Sequence, residues 1–171
     1  PSSAASDVYK RQLKDFRVTS TLDDTYKDGI FKLGVDLRNN GSTAGNMTLV
    51  YELLDANGKV VATGEKATNV AAGETRTVSF DQTLPDVKTW TSEAPNLYKL
   101  VMTVKENGKV NEIIPFNVGF RRIEIKPTEQ LARNGKPYVC LFINGQPLKL
   151  KGVNIHEHNP ATGHYMTCLL Y

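Results

Sequence analysis

The densest group of side chains able to do chemistry lies late in the chain and comprises Asn154, His156, Glu157, His158 and His164. On a strand, His156 and His158 would share one face and Glu157 would point to the other, because side chains alternate along a strand. Imidazoles donate hydrogen bonds to substrate hydroxyls or bind metals. The pattern therefore indicates either the edge of an active site or an exposed polar loop. It does not favour zinc, since His-Glu-x-His lacks the i, i+4 histidine spacing of the helical zinc motif.

The rest of the sequence offers little further chemistry. It has no Gly-x-Ser-x-Gly nucleophile motif and no glycine-rich phosphate loop. Nearly all of its carboxylates fall on outward strand positions or in turns, which is typical of a solvated surface. Trp90 precedes a strand, where one large aromatic side chain serves either for packing or as a platform on which a sugar stacks.

Composition excludes several classes of protein. The 171 residues include 21 Lys and Arg against 18 Asp and Glu, a net charge of +3, and there is no basic run, so a dedicated nucleic-acid binder is not expected. With 40% hydrophobic and 23% charged residues, the chain is not a disordered one. No apolar stretch is long enough for a transmembrane helix, so no membrane partner is expected. Two cysteines, Cys140 and Cys168, cannot form a disulfide framework and leave the compartment open.

Residues 14–120 alternate between apolar and polar side chains as half-buried strands do. Seven segments carry this pattern or flank a turn signal: 16–21, 30–38, 47–53, 60–66, 78–80, 98–104 and 110–118. Asn57-Gly58 and Asn107-Gly108 predict tight hairpin turns, because asparagine and glycine tolerate positive φ. Pro115 predicts an edge strand or a bulge, since proline cannot donate to a ladder. We therefore expect an all-β fold, an immunoglobulin-like β-sandwich.

The regions outside this sandwich have a different character. Pro1 to Gln12 is small and polar, and Thr167 to Tyr171 is apolar and stops abruptly. Both resemble translated adaptor sequence, so residues 1–13 are expected to be irregular or foreign and the chain to be an internal fragment.

A second unit is predicted after residue 120. Asn134-Gly135 and Asn144-Gly145 bracket the apolar run Tyr138–Ile143, which indicates a hairpin. Leu148, Leu150 and Val153 then alternate with polar residues toward the histidines. Because one strand is unstable alone, residues 121–171 are expected to be a linker, a hairpin and the first strand of a truncated second domain.

Four segments, in this order, resemble glycoside hydrolase family 2 and specifically its β-galactosidases. They are Trp90-Thr91-Ser92-Glu93-Ala94-Pro95-Asn96-Leu97-Tyr98, Gly119-Phe120-Arg121, Ile143–Asn154, and His156-Glu157-His158-Asn159-Pro160 with Gly163-His164. The resemblance covers about residues 14–166. It implies a multidomain enzyme in which the sandwich is followed by a catalytic (β/α)₈ barrel, and this chain would comprise the sandwich and the first barrel strand, with His156-Glu157-His158 at the end of that strand. Active sites of such barrels lie at the carboxyl ends of strands.

The resemblance also implies roles for individual residues. His156 matches a histidine that contacts the galactosyl group and favours its transition state, and Asn154, Glu157 and His158 are the other expected substrate-binding residues. Ile155 stands where the family commonly has arginine, a departure expected to alter packing more than sugar contact. The implied reaction is retaining hydrolysis of terminal β-D-galactosides by two carboxylates. Both are glutamates on later strands, so no catalytic residue, metal site or cofactor is expected in this chain, which would be inactive alone.

Other assignments stay open. The parent enzyme could be a β-glucuronidase or another family 2 glycosidase, although His-Glu-His-x-Pro favours a galactosidase. A non-catalytic immunoglobulin-like binding or adhesion module is the alternative outside enzymes. For the parent, the resemblance implies a β-galactoside substrate, Mg²⁺ and Na⁺ held mostly by residues outside the chain, a homo-oligomer, and the bacterial cytoplasm or periplasm, between which the sequence does not decide.

Overall fold

The computed structural model describes residues 10–150 and Gly152. Within them the chain forms strands and no helix, which confirms the all-β fold. The strands are β1 (Arg11–Leu22), β2 (Gly29–Asn39), β3 (Gly45–Leu54), β4 (Val60–Val70), β5 (Thr75–Leu84), β6 (Tyr98–Glu106), β7 (Lys109–Val118), β8 (Ile123–Leu131), β9 (Pro137–Ile143) and β10 (Gln146–Pro147). No described segment is thus a helix of the length and hydrophobicity that a membrane span requires.

The first seven strands form a two-layer sandwich, and the last three form a small separate sheet. One layer has the order β1-β2-β5 and the other β4-β3-β6-β7, while the third sheet has the order β10-β9-β8. All neighbouring strands in these sheets are antiparallel. The seven predicted strand segments coincide with β1 to β7.

The core lies between the two layers and follows from period-two alternation. In β2, Phe31, Leu33, Val35 and Leu37 are fully buried, as are the alternate residues of β3 and β6 that they face. The Phe31 and Tyr51 rings meet across the layers with centroids 5.5 Å apart. Burial of one such side chain stabilises the fold by roughly 1.5–3 kcal/mol, so this alternation accounts for the sandwich.

The strands β1 and β7 meet at one open side of the sandwich. Their Phe16 and Phe116 rings pack edge to face, with centroids 5.2 Å apart. β7 is the last strand of its sheet among the described residues, and its Pro115 therefore confirms the expected edge position.

Two hairpins turn at Asn-Gly pairs with both residues at positive φ, whereas in the predicted turn at Asn57-Gly58 only Gly58 has a positive φ, 78°. The angles are 49° and 79° at Asn107 and Gly108, and 49° and 77° at Asn144 and Gly145. This is the conformation that fits the right-handed twist of paired strands, which confirms the tight turn predicted at Asn107-Gly108.

The first strand begins earlier than we expected. β1 starts at Arg11, so residues 11–13 are part of the sandwich and not of the irregular segment predicted for residues 1–13. Arg11 pairs with Asn39 in the ladder, and its guanidinium binds the Glu106 carboxylate. The Leu13 amide donates to Glu112 at 3.0 Å. The local sequence did not predict this pairing, because residues 11–13 are held by contacts with strands that are distant in the sequence.

The far end of the sandwich, where β2 ends, is closed by Asn39, which is fully buried. Its amide nitrogen donates to the carbonyls of Thr43 and Val70, both at 2.9 Å, and its amide oxygen accepts from the Gly41 amide. One side chain therefore satisfies three backbone groups, two in the β2–β3 loop and one at the end of β4, that would otherwise be unpaired.

The hairpin predicted after residue 120 is present as β8 and β9. The strand expected from Leu148 is not found within the described part, where β10 comprises only Gln146–Pro147 and residues 148–150 are outside any strand. Only the Leu148 amide continues the ladder, donating to the Leu141 carbonyl at 2.7 Å. The remainder of the expected barrel strand lies outside the described residues.

Candidate functional site

The predicted substrate-binding residues Asn154, His156, Glu157 and His158 lie outside the described residues. What the structure describes is the joint that leads toward them. At this joint the β1–β2 loop, the segment around Trp90 and the β8–β9 hairpin meet at one end of the sandwich. The residues of this joint hold the β8–β9 hairpin against the sandwich.

Asp23 organises the β1–β2 loop. Its carboxylate accepts hydrogen bonds from the Thr25 hydroxyl at 2.6 Å and from the amides of Lys27 and Asp28, both at 3.0 Å. These donors, the Thr25 hydroxyl first, lower the pKa of Asp23 from 3.8 to about 2. The loop holds Tyr26 at a φ of 58°, an uncommon value for a bulky residue, and so aims its ring at the hairpin.

The Tyr26 hydroxyl lies at the centre of the joint. It donates to Glu124 Oε2 at 2.6 Å and accepts from Lys126 Nζ at 2.8 Å, while Lys126 Nζ also lies 3.4 Å from Glu124. The hydrogen bond from Tyr26, together with Lys126 and Arg122, lowers the pKa of Glu124. Tyr26 and Glu124 likewise raise the pKa of Lys126. The hairpin is therefore tied to the sandwich by charged groups held in their ionised forms.

Arg122 adds a second ionic link. It pairs with Asp24 of the β1–β2 loop at 2.6 Å and with Glu124 at 3.2 Å, and its guanidinium lies 5.6 Å from the Tyr26 ring centroid. These carboxylates, Asp24 first, raise the pKa of Arg122. The same residue thus contacts both units.

Asn144, in the turn between β9 and β10, completes the joint. Its amide oxygen accepts from the Arg122 backbone amide at 2.9 Å, and its amide nitrogen donates to the Trp90 carbonyl at 3.0 Å. Its own backbone amide donates to the Arg122 carbonyl at 2.9 Å. Asn144 therefore fixes the hairpin turn against the segment that enters β6.

Trp90 is packed as a structural residue, in agreement with one of the two interpretations of the sequence. Its backbone amide donates to the Phe120 carbonyl at 2.8 Å, and Phe120 is fully buried. A Cβ on Gly119 would lie 3.1 Å from the Trp90 side chain, closer than an ordinary van der Waals contact, so glycine suits this approach. The Arg121 guanidinium carbon lies over the Trp90 ring, 4.5 Å from its centroid.

The hairpin has an inverted alternation relative to the sandwich strands. Glu124 and Lys126 face the joint, whereas the apolar side chains of the opposite face are open: Ile123 is 57%, Ile125 74% and Val139 65% exposed. Register pairs Ile123 with Ile143 and Ile125 with Leu141, which places more apolar side chains on that face. We call this surface the apolar hairpin face.

Sequence reasoning missed Tyr26, Arg122, Glu124, Lys126 and Asn144 as functional positions. For Glu124 and Lys126 the sequence signal was the Ile-Glu-Ile-Lys alternation of residues 123–126, which does not say which face is covered, and for Asn144 it was the Asn-Gly turn signal, which does not show the contact with Trp90. Glu124 also departs from the expectation of solvated carboxylates. Among the described residues, no group of three or more His, Cys, Asp and Glu side chains is arranged to hold a metal.

Curated proteins similar to this chain are β-galactosidases. The β-galactosidase of Priestia megaterium is 35% identical over 151 residues, which cover 87% of this chain and 14% of that protein. The β-galactosidase large subunit of Lactobacillus acidophilus is 36% identical over 156 residues, which cover 91% of this chain and 22% of that protein. The chain thus spans between a seventh and a quarter of the lengths of these relatives.

The fold is shared with solved β-glucuronidases. The structure of the Bacteroides uniformis β-glucuronidase matches 94% of this chain and 19% of its own, with a TM-score of 0.74 and 18% identity. At that identity the match shows the fold alone. The family profile described as glycosyl hydrolases family 2 matches residues 12–121, the sandwich with the first residues after it. The chain therefore belongs to glycosyl hydrolase family 2.

Proposed function

We propose that this chain is the immunoglobulin-like sandwich and the barrel-leading hairpin of a retaining β-galactosidase, and that it positions the first strand of the catalytic barrel. The observation that carries the proposal is the extent of the similarity. The family profile covers 12–121, whereas the β-galactosidase of P. megaterium aligns over 151 residues. Similarity to β-galactosidases therefore continues beyond the sandwich into the hairpin.

The joint supports this role, because a barrel strand can contribute to a site only when the strand is held in place. Tyr26, Arg122 and Asn144 fix the hairpin on the sandwich by side-chain contacts from three segments. The apolar hairpin face then points away from the sandwich. In this proposal that face is covered by the barrel.

The proposed site residues keep the roles that the family resemblance implies. His156 contacts the galactosyl group, and Asn154, Glu157 and His158 line the same edge. The acid/base and nucleophile glutamates come from later barrel strands outside the chain, so residues 1–171 alone do not hydrolyse a galactoside. Among the described residues, no group of three or more His, Cys, Asp and Glu side chains could hold a resident Mg²⁺ or Na⁺ ion.

Replacing the corresponding segment of the P. megaterium enzyme by residues 11–166 of this chain tests the proposal. We expect the chimera to hydrolyse o-nitrophenyl β-D-galactoside. The change His156→Ala in the chimera should lower kcat/KM about a hundredfold, the usual loss when a group that stabilises a transition state is removed. Lys149→Ala, at an exposed position two residues after β10, is the matched control. A folded chimera with full activity after His156→Ala would contradict the role of His156.

A β-glucuronidase parent is the second candidate, because solved β-glucuronidases share the fold. The parent reading frame, expressed whole, should cleave p-nitrophenyl β-D-galactoside and leave the matching glucuronide intact. The reverse preference would assign the chain to a glucuronidase. Glycan binding by the isolated chain, with no barrel encoded downstream, would instead support the non-catalytic binding module.

A further inference from the structure

We propose that Arg121 binds the carboxylate of an acidic protein segment with apolar flanks, in a cleft where β7 ends and β8 begins. The inference deepens the proposed function and rests on it, because that function places the rest of the parent enzyme, as the source of the segment, on this side of the molecule. Arg121 is distinct from the residues that tie the joint together.

The cleft has a volume of about 540 Å³, which is within the range of ligand sites. It lies between the ends of β1 and β7 and the start of β8. Its walls combine apolar and neutral polar side chains with one charged group. The lining residues that matter here are Thr19, Trp90, Leu97, Phe116, Asn117 and Arg121.

Arg121 is held in place but has no ionic partner. Its guanidinium stacks on Trp90 with the carbon 4.5 Å from the ring centroid, yet it makes no hydrogen bond or ion pair with another described residue. The adjacent Arg122, by contrast, is paired with Asp24 and Glu124. A stacked guanidinium leaves its planar fork of donors free, and that fork matches a carboxylate in two-point geometry.

Charge and surface together select the occupant. Arg121 is the one charged residue among those that line the cleft, so the cleft carries an uncompensated positive charge that an anion complements. Leu97 and Phe116, 43% and 45% exposed, provide apolar walls that a small free anion would leave uncovered. Ile123 joins the cleft to the apolar hairpin face. An acidic side chain between apolar residues of a protein satisfies all three features.

Trp90 is the single tryptophan of the chain and reports directly on the stacked Arg121. Its fluorescence is measured in the 171-residue chain during titration with the peptides acetyl-Leu-Glu-Leu-amide and acetyl-Leu-Gln-Leu-amide and with sodium acetate. We expect a saturable change with the glutamate peptide at concentrations about tenfold lower than with the glutamine peptide, since a charge-assisted hydrogen bond is worth about that ratio. Acetate should bind more weakly than the glutamate peptide.

Variants of Arg121 make the assignment specific. Arg121→Gln should abolish the preference for the glutamate peptide, and Arg121→Lys should retain only part of it, because lysine lacks the planar fork. Arg133→Gln, in the β8–β9 turn, is the control and should leave the titration unchanged. Circular dichroism verifies that each variant is folded.

Two results would overturn the proposal. Equal binding of the two peptides, or glutamate-peptide binding unaffected by Arg121→Gln, would remove Arg121 as a carboxylate site. Acetate binding as tightly as the glutamate peptide would assign the cleft to free carboxylates instead of a protein segment. These readouts do not involve hydrolysis, so they are separable from failure of the chimera to act on a galactoside.

Discussion

At the scale of single residues, Tyr26 combines an unusual backbone conformation with a side-chain link across the joint. It holds a left-handed backbone conformation, and its hydroxyl serves as both donor and acceptor between Glu124 and Lys126. Phenylalanine could keep the ring but not these two hydrogen bonds. Tyr26 therefore separates the contribution of the polar link from that of the ring.

We expect Tyr26→Phe to lower the free energy of unfolding by about 1 kcal/mol, the usual net value of a protein hydrogen bond. Urea denaturation followed by circular dichroism measures the change. Tyr138→Phe, at an exposed position of β9, is the control and should leave stability unchanged. Equal stability of Tyr26→Phe and the wild-type chain would show that water replaces the hydroxyl at no cost.

The carboxylates of the joint also predict a response to acid. A group with a lowered folded pKa stabilises the fold above its unfolded pKa, and this stabilisation is lost as the pH falls toward the folded value. For Asp23 the window runs from its ordinary 3.8 down to about 2. Glu124 acts in the same direction below its ordinary 4.5.

Asp23→Asn should therefore flatten the loss of stability between pH 4 and pH 2, because the variant has no proton to take up at this position. Thermal unfolding midpoints measured across that range test the expectation. Glu93→Gln removes an exposed carboxylate that makes no hydrogen bond or ion pair with the described residues, and it should retain the wild-type slope. Parallel curves for Asp23→Asn and wild type would contradict the assignment.

At the scale of elements, the local alternation of side chains predicted the strands but not the contacts between distant segments. The seven sandwich strands were predictable because alternate residues such as Phe31 and Leu33 carry the period of a half-buried strand. The joint was not predictable, because Tyr26 meets Glu124 and Lys126 about a hundred positions away in sequence. In β8 the covered face is the charged one, which reverses the ordinary assignment of apolar side chains to the interior. The predicted site residues 154–158 lie outside the described part, so their placement stays a prediction.

The hairpin should separate from the sandwich when its anchoring turn is weakened. Asn144→Ala removes the side-chain hydrogen bonds to Arg122 and Trp90. We expect amide hydrogen exchange in β8 and β9 to accelerate about tenfold, which corresponds to a loss of about 1.4 kcal/mol in local stability, while β2 and β3 keep their protection. Asn134→Ala changes the other turn of the hairpin, where the side chain bonds only to nearby Lys136, and is the control. Uniform acceleration throughout the chain would indicate that sandwich and hairpin unfold together.

At the scale of the whole molecule, the apolar hairpin face has opposite consequences in two contexts. In the isolated chain it is open to water, and exposed contiguous apolar surface favours association. In the proposed parent enzyme it is buried. One charged substitution on this face should therefore reduce self-association of the isolated chain and lower the yield of active parent enzyme.

Ile125→Asp should reduce self-association of the isolated chain, measured by light scattering at increasing concentration, since it places a charge in the centre of that face. In the chimera with the P. megaterium enzyme, the same change should lower the yield of active protein several-fold, because a charge would be buried unpaired. Ile113→Asp, which changes an exposed side chain of β7, is the control for both measurements. Normal yield and activity of the Ile125→Asp chimera would show that the barrel does not cover this face.

Asn39 is the last of the 11 residues of β2, and Gly29 at the other end packs against Phe120, next to the joint that Asn144 anchors. At about 3.3 Å per residue, this strand sets a separation of roughly 35 Å between the two ends. Arg11 pairs with Asn39, so a preceding domain would join the sandwich at the end remote from the hairpin. The sandwich sheets would keep such a domain at a constant distance from a domain that follows the hairpin. The two domains could touch each other only through protrusions long enough to reach along the side of the sandwich.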